Sequence, residues 1–67
     1  MKIVSTAKNE ATVTISSNDL AFFQSALNEA MEALSDNELK IRTGMTVEKA
    51  QSLIDEIKVI RSVIHNH

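Results

Sequence analysis

Apolar residues recur in two rhythms along this chain. Residues 2–7, KIVSTA, and 11–16, ATVTIS, are short β-branched runs and predict two strands. A turn centred on Asn9-Glu10 would place Val4 opposite Ile15 and Thr6 opposite Val13. Val4, Val13 and Ile15 would then share a buried face, Ser5, Thr12 and Thr14 would face solvent, and Ile3 would be left on the outer face. A lone hairpin is marginal in water, so the helices that follow are expected to cover its apolar face.

From residue 17 the rhythm changes to steps of three and four. Ser17 or Asn18 can cap a helix, and Asp19 suits its positive end. Leu20, Phe23, Leu27, Met31 and Leu34 make one apolar stripe, so the helix should run to about Leu34. Phe23 falls in that core stripe and Phe22 lies off it. Ala26, Ala30 and Ala33 form a neighbouring ridge that lets another helix come close. Ser35-Asp36-Asn37 ends this helix. Residues 38–43 admit two readings. Leu39 and Ile41 alternate as in a strand, whereas Leu39 and Thr43 with Gly44 as a left-handed stop suit a short helix. The helix is the preferred reading. Thr46 caps a last helix with Glu48 in its first turn. Its stripe is Val47, Ala50, Leu53, Ile54, Ile57, Ile60 and Ile64, widened by Val59 and Val63, with Lys58 and Arg61 near its negative end. The predicted fold is α+β: an N-terminal β-hairpin packed on two main helices joined by a short corner (ββαα).

Size sharpens this picture. The 67 residues form one small domain, 1–67, with 65–67 read as a disordered tail. A chain this short buries only about 60% of its unfolded surface and commonly needs a disulfide, a metal or a partner subunit. There is no Cys, which excludes disulfides and thiolate metal sites and fits a cytoplasmic location. A partner subunit remains, and Ile3, Phe22, Val59 and Val63, surplus to a single core, are its expected contacts. With no Pro and a single Gly, the chain should be mostly regular structure. No apolar run reaches the roughly 18–20 residues of a membrane span, and the first residues show no apolar segment of a secretion signal.

The segment 37–58, NELKIRTGMTVEKAQSLIDEIK, has the outline of a helix-turn-helix, whose second helix would begin at Thr46. Its outward residues are Glu48, Lys49, Gln51, Ser52, Asp55 and Glu56. Three carboxylates against one lysine repel phosphates, and Arg and Lys are the usual phosphate and guanine contacts. The net charge of −2 adds no attraction to nucleic acid. A tight corner between packed helices is the better reading. One glycine cannot build a phosphate loop, two phenylalanines make no stacking platform, and Ser25, Ser52 and Ser62 lack a supporting His and Asp arrangement. His65 and His67 alone do not make a closed metal site. Glu29, Glu32, Asp36 and Glu38 form an acidic run, read as a solvated face because two helices and a hairpin offer little room for a cleft that would shift carboxylate pKa values. No cofactor, metal or catalytic residue is expected.

SALNEAMEAL followed by ELKIRTGMTVEKAQSLIDEI resembles a set of small stand-alone bacterial proteins of unknown function, over residues 18–58. The matching positions are Ala26, Leu27, Asn28, Glu29, Glu38, Arg42 and Gly44; Leu39 stands where that pattern has an aromatic. The resemblance implies no activity. Physically, Arg42 is expected to tie the corner to Asn28 or Glu29, and Asn28, Glu29, Glu32 and Arg42 are the candidate partner-binding groups. The expected function is that of a non-enzymatic protein-interaction module, homodimeric through Phe22, Val59 and Val63. Two alternatives stand beside it: a small helix-turn-helix-like transcriptional regulator using residues 37–58, and an immunity- or antitoxin-like inhibitor whose acidic face covers a basic protein.

Overall fold

The computed structural model describes residues 1–64. Its elements are strands β1 (Lys2–Ala7) and β2 (Glu10–Thr14) and helices α1 (Ser17–Ala33), α2 (Asp36–Thr43) and α3 (Val47–Val63). The α+β, hairpin-then-helices order read from the sequence is the order found. Residues 65–67, to which the tail and the paired histidines were assigned, lie outside the described residues.

Each helix starts where a hydroxyl can hold its first free N–H groups. The Ser16 side chain accepts from the Asp19 N–H, that of Ser35 from the Glu38 N–H and that of Thr46 from the Lys49 N–H. Ser16 therefore takes the cap expected of Ser17 or Asn18, one residue earlier in the same polar run. Ser35 does more than end α1. Its N–H donates to the Glu38 carboxylate at 3.4 Å while its hydroxyl accepts at 3.2 Å, a reciprocal capping box. That box draws Asp36 and Glu38 into the first turn of α2, where the macrodipole favours acid. Residues 38–43 are helix.

The turn from α2 to α3 is stitched by local bonds. Gly44 has φ +73° and its N–H reaches the Lys40 carbonyl at 2.8 Å. The Thr43 hydroxyl donates to the Leu39 carbonyl at 2.6 Å and accepts from the Met45 N–H at 3.1 Å. α3 then returns along α1. Arg61, in its last turn, donates to the Gln24 side chain in the first half of α1 at 2.7 Å, so the two helices run antiparallel.

The core is small. Among the described residues the buried apolar side chains are Leu20, Leu39, Ala50 and Ile54. Leu27, Met31, Leu34, Leu53, Ile57 and Ile64 are half-buried around them. Phe23, assigned to the core by its spacing, is instead 36% exposed. Gln24 takes the seam beside Leu20 and Leu27, rotating the inward face of α1 away from Phe23. Ile60 is likewise 44% exposed, and Ala26 and Ala33 of the alanine ridge meet solvent.

The hairpin departs furthest from expectation. Its turn is Lys8-Asn9, with Asn9 at φ +64°, a conformation Asn tolerates better than most residues. The register pairs Ile3 with Val13, Ser5 with Thr12, Thr6 with Ala11 and Ala7 with Glu10. The Val4–Ile15 and Thr6–Val13 pairs are therefore not formed. Val4 is the extra residue of a bulge between Ile3 and Ser5, so both Ile3 and Val4 stand opposite Val13. This bulge resolves the alternation problem that left Ile3 on the outer face. The helices do not cover this sheet, however. Every strand residue is exposed, with Ile3 at 69%, Val4 at 61% and Val13 at 38%. Ile15, just past β2, is half-buried. No Cα of a strand comes within 8 Å of a helix Cα.

The resulting body is flat and open. Its extents are 39 × 31 × 16 Å and its radius of gyration is 13.6 Å, against about 11 Å for a compact domain of this length. It exposes 5372 Å², where a folded monomer of this mass exposes about 4,200 Å².

A Cβ added at Gly44 would meet no atom within 4 Å, so replacement there costs backbone conformation alone. Gly44→Ala should destabilise the protein by about 1–2 kcal/mol and Gly44→Asn by less. Thermal melts of the three proteins at equal concentration check this. Equal midpoints for the wild-type and Gly44→Ala chains would show that the left-handed corner is dispensable.

Candidate functional site

The wheel of each long helix, at about 100° per residue, shows what remains uncovered. On α1, moving round from Gln24, the seam residue Leu27 comes first, then Phe23, Ala30, Ala26, Ala33 and Phe22. On α3, moving from Arg61 in the same sense, Ile57 and Leu53 are followed by Ile60, Val63 and Val59. Because the helices are antiparallel, both series open on the same side of the pair, the side away from the Gln24–Arg61 bond. Phe22 is 67% exposed, Val59 63% and Val63 62%. The Phe22 and Phe23 rings meet edge-on with centroids 6.0 Å apart. A shallow trough lined by Asp55, Glu56, Val59 and Ile60 runs along the α3 part of this face. The expected interface residues Phe22, Val59 and Val63 are thus all exposed, Phe22 and Val59 on the outer flanks of their helices and Val63 between that flank and the seam. Phe23 and Ile60 join them, which spacing alone had assigned inward. The signal that could have moved Phe23 outward is Gln24, whose polar head needed a partner on the other side of the seam.

The candidate partner-binding groups are placed differently. Asn28, Glu29, Glu32 and Arg42 are all exposed. Arg42 makes no hydrogen bond or ion pair with Asn28 or Glu29 among the described residues; it lies in the last turn of α2, where a cation complements the helix end. The acidic run is divided between two helices. Glu29 and Glu32 belong to α1, while Asp36 and Glu38 serve the start of α2. No group of three or more His, Asp or Glu side chains is arranged to hold a metal among the described residues. No helix among them is long and apolar enough to cross a membrane.

The corner between α2 and α3 has helix-turn-helix outline, but its exposed chemistry is acidic. On α3, Gln51 donates to Asp55 at 3.0 Å, which occupies two of the polar groups a base-reading face would use. Glu48, Lys49 and Glu56 are exposed beside them.

No family model, curated protein or solved structure matches this chain.

The protein should show no duplex-DNA binding at physiological salt, because on its α3 face Glu48, Asp55 and Glu56 outweigh Lys49 and leave little net cation to release counterions from phosphates. Titration of random-sequence and host-genomic duplexes checks this. Sequence-specific binding abolished by Lys49→Glu would instead establish α3 as a reading helix.

Proposed function

We propose that this chain is a non-enzymatic protein-interaction module that works as a homodimer through the α1–α3 apolar face. The observation that carries the reading is the exposed apolar surface of the two long helices: Phe22, Phe23, Ala26, Val59, Ile60 and Val63 are all exposed, with Phe23, Ile60 and Val63 beside the seam on the side away from Gln24 and Arg61. An exposed apolar surface of this kind marks an interface. The open shape supports the same reading. The chain exposes on the order of 1,000 Å² more than a compact monomer of its size, and a standard protein interface removes about 800 Å² from each partner. A second copy is the simplest cover, since two-fold dimers are the commonest oligomers, and it provides the missing second layer of the domain.

Neither alternative draws comparable support. The regulator reading has the corner but not the cations. The inhibitor reading relies on an acidic run that is split between two helices, with Glu38 engaged in the capping box of α2.

Sedimentation equilibrium over a wide concentration range tests the dimer. The wild-type protein should be dimeric at micromolar concentration. Val59→Glu with Val63→Lys should shift it to monomer and make its melting midpoint lower and less dependent on concentration. A wild-type chain that stays monomeric at high concentration would sink the proposal.

A further inference from the structure

The hairpin offers a second uncovered apolar surface. The bulge gathers Ile3 and Val4 opposite Val13, and all three are exposed. A two-stranded sheet with an open apolar face does not hold itself in water. Its own helices do not cover it. Only Ile15 and Ser16 separate β2 from α1, and Ser16 is extended, with φ −75° and ψ 158°. With this link, no strand Cα lies within 8 Å of a helix Cα. The link between strand and helix regions that does form is peripheral: the Met1 α-amino group lies 3.8 Å from Asp19, with both groups about half exposed, a pair worth little.

The helix face and the hairpin occupy the same end of the subunit. β2 leads directly into the start of α1, and Phe22 and Phe23 lie in the second turn of that helix. The antiparallel α3 brings Val59, Ile60 and Val63 to that end as well, as the Arg61–Gln24 bond shows. The sizes agree. Strands of six and five residues are about 17–20 Å long, and the α1 face from Phe22 to Ala33 is about 16 Å long.

We infer that the hairpin is an exchanged arm: Ile3, Val4 and Val13 of one copy lie on the Phe23, Val59, Ile60 and Val63 face of a second copy, and the second arm returns the contact. This rests on the homodimer proposed above and names what covers the face within it. A two-fold axis near the shared end places each arm on the partner's helices and closes the assembly, so no apolar face is left to recruit a third chain. Each subunit then acquires the sheet-on-helix layer that it lacks by itself.

The test uses the wild-type chain. Dimers are mixed from isotopically labelled and unlabelled copies, and intermolecular nuclear Overhauser effects are recorded. Arm exchange predicts cross-subunit contacts from the methyl groups of Ile3, Val4 and Val13 to Phe23, Val59, Ile60 and Val63. Contacts confined to helix against helix, or to hairpin against hairpin, would overturn the exchange while leaving the homodimer standing. A monomer in sedimentation would overturn both. The Val4→Asp chain gives a second reading, since Val4 is exposed within its own subunit. Its dimer dissociation constant should rise about tenfold or more, with helical content at high protein concentration retained. An unchanged constant would remove the arm from the interface.

Discussion

The left-handed residue at Gly44 is the constraint on which the rest of the structure depends. It ends α2 after eight residues and, with the Thr43 hydroxyl bridging Leu39 and Met45, aims Thr46 to cap a helix that returns along α1. Leu39, Ala50 and Ile54, on the two helices this corner joins, are three of the four buried apolar side chains among the described residues. Without that reversal α3 would have no helix to lie against, and the Gln24–Arg61 bond at the far end could not form. The glycine works by conformation: open space surrounds the position where a side chain would begin.

A seam between two helices, covered partly by a short third one, can bury only a narrow stripe from each. α1 and α3 both carry more apolar residues than that stripe takes, and the excess is not scattered. Antiparallel packing sorts the polar pair Gln24 and Arg61 to one side of the seam and Phe23, Ile60 and Val63 to the other. The same sorting occurs in the hairpin, where one extra residue gathers Ile3 and Val4 opposite Val13. Two apolar surfaces of similar length therefore arise from independent local causes, a helix period and a strand bulge. In many small domains such surfaces are packed on each other. Here the connection is Ile15-Ser16, and the surfaces stay apart.

The parts legible from sequence are those decided by local chemistry. Ser, Thr and Gly at the helix ends acted through their own backbone neighbours, so Thr46 and Gly44 could be placed to the residue and Ser16 missed by one. The helical state of residues 38–43 followed from Gly44 and Thr43. The failures were all of facing. Phe23 sits at the correct interval from Leu20 and Leu27, but the helix rotates to put Gln24 at the seam, and the group that meets Gln24, Arg61, lies 37 residues further along the chain. Register in the hairpin failed because alternation presumes one residue per pleat, and the bulge at Val4 breaks that count. Arg42 was assigned a partner across the corner when the end of its own helix already suited it. Phe22, Val59 and Val63 are exposed, as residues surplus to either rotation would be.

A bulge at Val4 also bears on how the hairpin can associate. Flat, regular edge strands invite indiscriminate pairing with other chains, and bulges and charges are the usual defences. This sheet has Lys2, Lys8 and Glu10 along its short strands and turn, while the bulge bends β1 and increases its twist. A twisted, charged edge is a poor template for edge-to-edge stacking, yet the face of the same sheet remains apolar over Ile3, Val4 and Val13. Edge defence combined with face exposure discriminates between two modes of association: it disfavours growth by added strands and favours docking of the face on a complementary apolar surface. The α1–α3 face of the same chain is such a surface, present at equal concentration and of matching length.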